Sequence, residues 1–394
     1  MHFSFVITSS LKITIVPGVP LSQPLRISKK SRLGHIDALR GIAASYVFLF
    51  HLTKVPNPAP NLPRWATQLL ASGWSGVTLF FVLSAWTLAM TRDARDSEDR
   101  PDLRFLVRRF FRIAPLYYCW LVFMVIHNYG ISGFFHLKER VISYITFTYN
   151  FYPPWQQGVV WASWTLGVEM VFYALFPMVW KLTRSVRSAT GFLGASLIAS
   201  WIIQLVVYHV MDETSANTYV ALSLATSLPA FGFGILAFRI QAASTRPERL
   251  KPWRIPLLII GGLTWCILLS QEPTWGVRAF FQPFAYTSIL LGIHADPPRW
   301  LSSSVMCFLG KISYSLYLNH PYLVYSLAPL FLLYNGWFNP ESGISFGLSV
   351  LTAGSLLVVI SYGTWRWIEE PGNRLGRKIL AHIPEQSSSQ DRTA

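Results

Sequence analysis

The stretch IDALRGIAASYVFLFH, residues 36–51, decides how the rest of the chain is read. It is apolar enough for a bilayer interior, yet it carries Arg40 near one end and His51 at the other. Ionisable side chains in hydrocarbon are costly, so each needs a reason. On a helix turning about 100° per residue, the eleven-residue spacing returns both side chains to nearly one face, about 16 Å apart along the axis. Two readings stand at this point. Both residues lie at helix ends, where reaching water is cheap, or the face they share serves a function.

The composition extends the membrane reading. Of 394 residues, 52% are hydrophobic and 13% charged, against about 25% charged in soluble domains. There are 16 Trp and 27 Phe, and the mean hydropathy is +0.38. These values indicate an integral membrane protein with many spans. The formal charge of +15 would suggest nucleic acid in a soluble protein. Here the basic residues cluster in short segments between apolar runs, so nucleic-acid binding is excluded in favour of the positive-inside pattern. Cys119, Cys266 and Cys307 are scattered through apolar stretches, which gives neither a disulfide framework nor a metal site.

Apolar runs long enough to cross lie at about 38–55, 70–90, 113–131, 161–180, 190–211, 219–238, 255–271, 278–294, 312–334 and 345–366. A further run at 141–151 is too short to span and reads as re-entrant or interfacial. Every major basic cluster then falls on one side. These are Arg26 to Arg32, TRDARDSEDRPDLRFLVRRFFR (91–112), Lys181 to Arg187, RIQAASTRPERLKPWR (239–254), Arg299 with Lys311, and RWIEEPGNRLGRK (366–378). Opposite loops such as VMDETSANT (210–218) are basic-poor, with Lys138 and Arg140 the exception. The expected fold is therefore an all-α membrane protein, a bundle of about ten transmembrane helices with both termini cytoplasmic. Residues 1–33 read as a mobile cytoplasmic extension, and the sequence leaves open whether they belong to the native protein. Residues 34–380 form the transmembrane domain, and 381–394 read as a disordered cytoplasmic tail.

Three features carry chemistry. His51 falls in the outer half of the first span, and an imidazole can act as a general base near neutral pH. In RFLVRRFFRIAP (104–115), Arg104, Arg108, Arg109 and Arg112 recur at helical spacings. Such a cluster suits bidentate phosphate binding, or equally an interfacial anchor that sets topology and meets anionic lipid. In WASWTLGVEMVFYALFP (161–177), Glu169 is a carboxylate inside an apolar span, which by default marks function. Its expected depth is close to that of His51. Trp161 and Trp164 read as an aromatic belt.

Taken together, HIDALRGIAASYVFLFH (35–51), SGVTLFFVLSAW (75–86), VRRFFRIAP (107–115), WTLGVE (164–169), GKISYSLYLNHP (310–321) and RWIEEPGNRLGR (366–377) resemble the acyltransferase-3 family of membrane-bound O-acyltransferases. The likeness covers roughly 34–380. It implies a multi-pass inner-membrane enzyme that moves an acyl group, acetyl by default, from a cytoplasmic donor such as acyl-CoA to a hydroxyl on a carbohydrate acceptor. That acceptor would be a surface polysaccharide, glycolipid or secreted glycoside. No bound cofactor or metal is implied.

By the same resemblance, the family's first-helix arginine and histidine match Arg40 and His51. Its paired arginines match Arg109 and Arg112, with Arg108 adjoining, and its acidic residue matches Glu169. Tyr317 and His320 match its late segment. Asp37 and Ser84 are further pocket candidates. Two departures, Thr78 and Ala85, bear on acyl-chain size. The chain as given ends without the hydrolase-like C-terminal domain of some members, so it is expected to act alone or to hand its product on.

The expected mechanism has Arg40, Arg108, Arg109 and Arg112 holding the donor phosphates. His51 then acts as base, with Glu169 orienting it as the carboxylate of a triad does. Asp37 reads as a helix-start residue or a partner of Arg40. The alternative is a proton-coupled transporter or flippase whose His and Glu relay protons.

Overall fold

The computed structural model describes residues 3–7, 13–17, 33–55, 62–130, 137–244, 250–270, 275–338 and 343–383. All but a small part of this is helix. Within the stretch read as an N-terminal extension, β1 (Phe3–Ile7) and β2 (Ile13–Pro17) pair antiparallel, with Phe5 opposite Ile15. The rest of that extension, and the tail beyond residue 383, lie outside the described residues.

Each of the ten apolar runs falls on helix. The main elements are α1 (Gly34–Lys54), α2 (Arg64–Ala71), α3 (Gly76–Asp93), α4 (Pro101–Tyr129), α5 (Lys138–Ile145), α6 (Trp164–Leu182), α7 (Val186–Val210), α8 (Glu213–Leu222), α9 (Leu224–Ala243), α10 (Arg254–Ser270), α11 (Trp275–Ala295), α12 (Ser304–Lys311), α13 (Ser313–Ser326), α14 (Ala328–Trp337), α15 (Ile344–Thr364) and α16 (Glu370–Ala381). Among the described residues, seven helical segments are long and apolar enough to cross a membrane by length and composition. The run at 312–334 is broken near Leu327, where Pro329 opens α14. The short run at 141–151 yields α5 and a single 3-10 turn, as its length required.

Two packing rules place the site. First, small residues let helices approach closely, as they do inside bilayers. Gly41 of α1 meets Gly310 of α12, and a Cβ added at Gly310 would lie 2.0 Å from the Asp37 carbonyl oxygen. Gly234 of α9 faces the Val82 carbonyl of α3 just as tightly, at 2.3 Å from an added Cβ. Ala85, read as bearing on acyl-chain size, is fully buried at this α3–α9 crossing. Its small side chain serves helix contact.

Second, apolar side chains face outward where no helix covers them. On α10 only Gly261 is buried, while Ile255, Ile259, Leu263 and Ile267 are exposed along one stripe. In water such a patch would be anomalous; against lipid it is the expected surface.

The ends of several helices meet in one ionic network. Asp96, after α3, accepts from Arg92 and from Arg184 (2.7 Å), which follows α6. Asp102 of α4 lies 3.0 Å from Arg92 and 3.4 Å from Lys181. Arg239 of α9 donates to the Thr183 carbonyl at 2.6 Å and pairs with Asp93 at 3.6 Å. The hydrogen bond from Arg184 holds the Asp96 carboxyl below its ordinary range. The C-terminal ends of α3, α6 and α9 and the start of α4 thus share one end of the bundle.

Candidate functional site

Two cavities lie end to end between the helices. The larger has a volume of about 760 Å³ and is lined by His51, Trp74, Thr78, Trp161, Gln282 and Arg278 among others. The smaller, about 80 Å³, is lined by Arg40, Ser84, Arg109, Arg112, Glu169 and Tyr173 among others. Val77, Phe81 and Tyr317 line both and form the wall between them.

The small cavity gathers the arginines because of their helical spacing. Arg109 and Arg112 stand three residues apart on α4 and share a face. Arg109 donates to Thr91 Oγ1 at 3.2 Å, and Arg40 donates to Thr87 Oγ1 at 3.3 Å. Thr87 and Thr91 are one turn apart on α3. Arg112 forms an ion pair with the fully buried Glu369 carboxylate at 2.9 Å. Glu369 ends a π-helical turn, Trp365–Glu369, and its second oxygen accepts from Ser315 Oγ at 3.1 Å. Ser84 Oγ and the Tyr173 hydroxyl lie 3.1 Å apart beside Glu169. Arg109 also lies over the Tyr173 ring, 5.9 Å from its centroid.

Two donor-site expectations change. Arg108 lines neither cavity; it pairs with Glu98 at 2.9 Å in the α3–α4 connection. Adjacent residues on a helix point about 100° apart, so Arg108 cannot share the face of Arg109. Asp37 lines neither cavity either. Its charge acts on Arg40 and Arg112, which fits the partner role rather than the pocket role.

His51 sits in the large cavity, and its partner differs from the expected one. Its Nδ1 lies 2.9 Å from the Val47 carbonyl and 3.2 Å from His320 Nε2. The fully buried His320 in turn places Nδ1 2.6 Å from the Tyr317 carbonyl. The two rings are 4.8 Å apart. Glu169 does not join this pair; it belongs with Arg40 and Arg109 in the small cavity. The reason is physical: a carboxylate in an apolar span lies most favourably beside guanidinium groups, and Arg40 lies about 16 Å along α1 from His51.

Tyr317 and Ser84 line the cavities, and His320 lies against His51, which lines the large one. The Tyr317 hydroxyl accepts from Thr165 Oγ1 at 3.1 Å and donates to the Ala162 carbonyl at 3.3 Å. Thr78 reaches the large cavity, where it donates to Gln282 Oε1 at 2.7 Å. Trp161 and Trp164 line that cavity as well, a placement the aromatic-belt reading did not include.

Sequence reasoning missed Tyr173 and Glu369. Tyr173 stands one helical turn after Glu169, and that spacing was available. Glu369 lies in a motif quoted for the resemblance, but nothing local tells which of Glu369 and Glu370 turns inward.

Comparison with known proteins places the chain. The acyltransferase-3 family model, described as an acyltransferase domain, matches residues 33–366. SACOL0978 of Staphylococcus aureus (strain COL), provisionally named an O-acetyltransferase, is 24% identical over 386 residues, covering 89% of this chain and 59% of its own length. The O-acetyltransferase OatA of Staphylococcus aureus (strain MRSA252) is 24% identical over 388 residues, covering 91% of this chain and 60% of its own. The chain thus spans about three-fifths of the length of these curated relatives. No solved structure matches it. With its family model covering most of the helical bundle, the chain belongs to the acyltransferase-3 family.

Proposed function

We propose that the chain is a multi-pass membrane O-acyltransferase. It takes an acyl group, acetyl by default, from acyl-CoA on the cytoplasmic side and transfers it to a hydroxyl of a carbohydrate on the other side. The observation that carries this reading is the pair of cavities in series, guanidinium groups in one and an imidazole in the other, with a shared wall at Val77, Phe81 and Tyr317. Relatives named O-acetyltransferases support the acetyl group.

The topology belongs to the same proposal: ten spans, both termini cytoplasmic, in the cell's cytoplasmic membrane. Support comes from the one-sided basic clusters and from the ionic network that joins the ends of α3, α6 and α9.

On this reading Arg40, Arg109 and Arg112 hold donor phosphate, where fork-shaped guanidinium groups bind bidentately. Glu169 and Tyr173 hold those guanidinium groups in place. The acceptor enters the large cavity, whose tryptophans present flat apolar faces to sugar rings and whose Gln157, Gln204 and Gln282 offer hydrogen bonds. His51 accepts the hydroxyl proton as the oxygen bonds to the thioester carbonyl carbon. The carbon–sulfur bond breaks, and the leaving thiolate takes that proton to become free thiol.

The test is ester formation by purified protein in proteoliposomes, with labelled acetyl-CoA and a panel of glycan acceptors. Label recovered as a base-labile ester on a sugar supports the proposal. Movement of labelled glycan across the vesicle without ester would replace it with the transporter reading.

A further inference from the structure

We infer that His320 is a positioning residue that, together with the Val47 carbonyl, holds the tautomer of His51, so that a histidine stands where acyl-transfer sites commonly use a carboxylate. This deepens the O-acyltransferase reading and rests on His51 being its base. The chain of reasoning starts at Pro321. A proline lacks the N–H that would close the helical hydrogen bond to the carbonyl four residues back, which here is Tyr317. That carbonyl instead meets His320 Nδ1 at 2.6 Å. A carbonyl can only accept, so His320 carries its proton on Nδ1 and its Nε2 is left as an acceptor. His51 Nδ1 faces two acceptors, this Nε2 at 3.2 Å and the Val47 carbonyl at 2.9 Å. It must therefore carry the proton of His51. The other nitrogen of His51, Nε2, is left with its lone pair for the acceptor's hydroxyl in the large cavity. With both rings neutral, the other tautomer of His51 would set its Nδ1 lone pair against the Val47 carbonyl at 2.9 Å and against His320 Nε2 at 3.2 Å.

The arrangement has a further effect on the reacting state. When His51 Nε2 takes the hydroxyl proton, the ring becomes an imidazolium whose Nδ1–H already points at two acceptors. Nothing has to reorganise, and no second proton moves. His320 touches neither substrate on this account; it works through His51.

The experiment uses full-length protein labelled with 15N-histidine, with His51 assigned by its loss in His51→Gln. The wild type should show His51 protonated at Nδ1 and bare at Nε2. His320→Ala leaves only the Val47 carbonyl of the two acceptors, so it should raise the fraction of the other His51 tautomer and lower kcat about 10–100-fold, as loss of the outer partner of a metal-bound histidine does, with donor and acceptor KM unchanged. His320→Gln should recover most of both signals, because its amide can donate to the Tyr317 carbonyl and accept from His51. Pro321→Ala returns a backbone N–H to that carbonyl and should loosen the tautomer in a fully folded chain, so the test survives a His320→Ala protein that does not fold. A wild-type His51 protonated at Nε2, or unchanged kcat in folded His320→Ala, would overturn the inference. Should the wild type form no ester, the enzyme reading fails, while the spectrum still decides the tautomer.

Discussion

Arg112 and Glu369 meet at 2.9 Å across the gap between α4 and the π-helical turn that follows α15. The pair ties the arginine-lined cavity to the C-terminal part of the bundle, and Ser315 of α13 joins it through the other carboxylate oxygen. Three helices that are distant in sequence are thereby fixed around one guanidinium. Glu369→Gln should remove the charge partner and leave a cation facing a neutral amide. The expected loss is about 1–3 kcal/mol of stability, read as a lower Tm in detergent. Glu370→Gln should have a much smaller effect, since Glu370 pairs with the exposed Arg374 and Arg377.

The two neighbouring arginines of α4 should separate cleanly. Arg109→Ala with Arg112→Ala should raise the KM for acyl-CoA, each charged contact being worth about 1.5–3 kcal/mol. Arg108→Ala should alter it by less than about 1 kcal/mol, as expected for a solvent-accessible ion pair. Initial rates at varied acyl-CoA and fixed acceptor check this. A rise in KM with Arg108→Ala as large as with Arg109→Ala would undo the assignment of the small cavity to the donor.

The wall between the cavities should govern acyl length. Phe81→Ala opens space beside Val77 and Tyr317, and the rate with longer acyl-CoA should rise relative to acetyl-CoA. A panel of acyl-CoA donors of increasing chain length measures the ratio. An unchanged ratio would place the acyl group elsewhere.

Helix contact at Gly310 should be intolerant of any side chain. Gly310→Ala puts a Cβ 2.0 Å from the Asp37 carbonyl oxygen, so α1 must shift, and with it Arg40. Overpacking of this kind costs about 1–3 kcal/mol. Folded yield and Tm should both fall, whereas Gly347→Ala, in open space on α15, should be neutral.

Topology is open to a direct check. In a chain cleared of Cys119, Cys266 and Cys307, single cysteines at Arg95 and Leu375 should be shielded from an impermeant thiol reagent in intact cells and react after permeabilisation. Labelling of either in intact cells would reverse the proposed orientation.

Much of this was legible in the chain. Runs of apolar residues long enough for helix, interrupted by Arg-rich segments, gave the bundle because hydropathy and helix length act locally. Helical spacing set Arg109 and Arg112 on one face, and spacing is also local, but by itself it left donor site and lipid anchor equally open. The pairing of His51 with His320 was not legible, since it joins residues 269 apart in sequence, and depth estimates along two separate helices cannot decide which of two titratable groups is nearer. Glu169 illustrates the error: its depth resembled that of His51 when counted from the end of the apolar run at Trp161. The carboxylate settles instead beside Arg40 and Arg109, which reach it from α1 and α4. The neighbour of Arg108 was likewise hidden, because Glu98 reaches it from a connection whose course no periodicity records.

Under the proposed reading, Val77, Phe81 and Tyr317 would make the bundle an insulator as well as a reaction vessel. A water-filled bore joining the two cavities would let protons run down the membrane potential, each charge releasing about 2.3 kcal/mol per 100 mV. Three side chains, two of them aromatic, line both cavities where they meet. Under the proposed reading only a carbonyl carbon and its short tail need pass between them. The coenzyme's phosphates and the sugar each stay on the side they came from. On that reading a group would be exported with no carrier that opens alternately to each face, and the membrane would keep its voltage throughout.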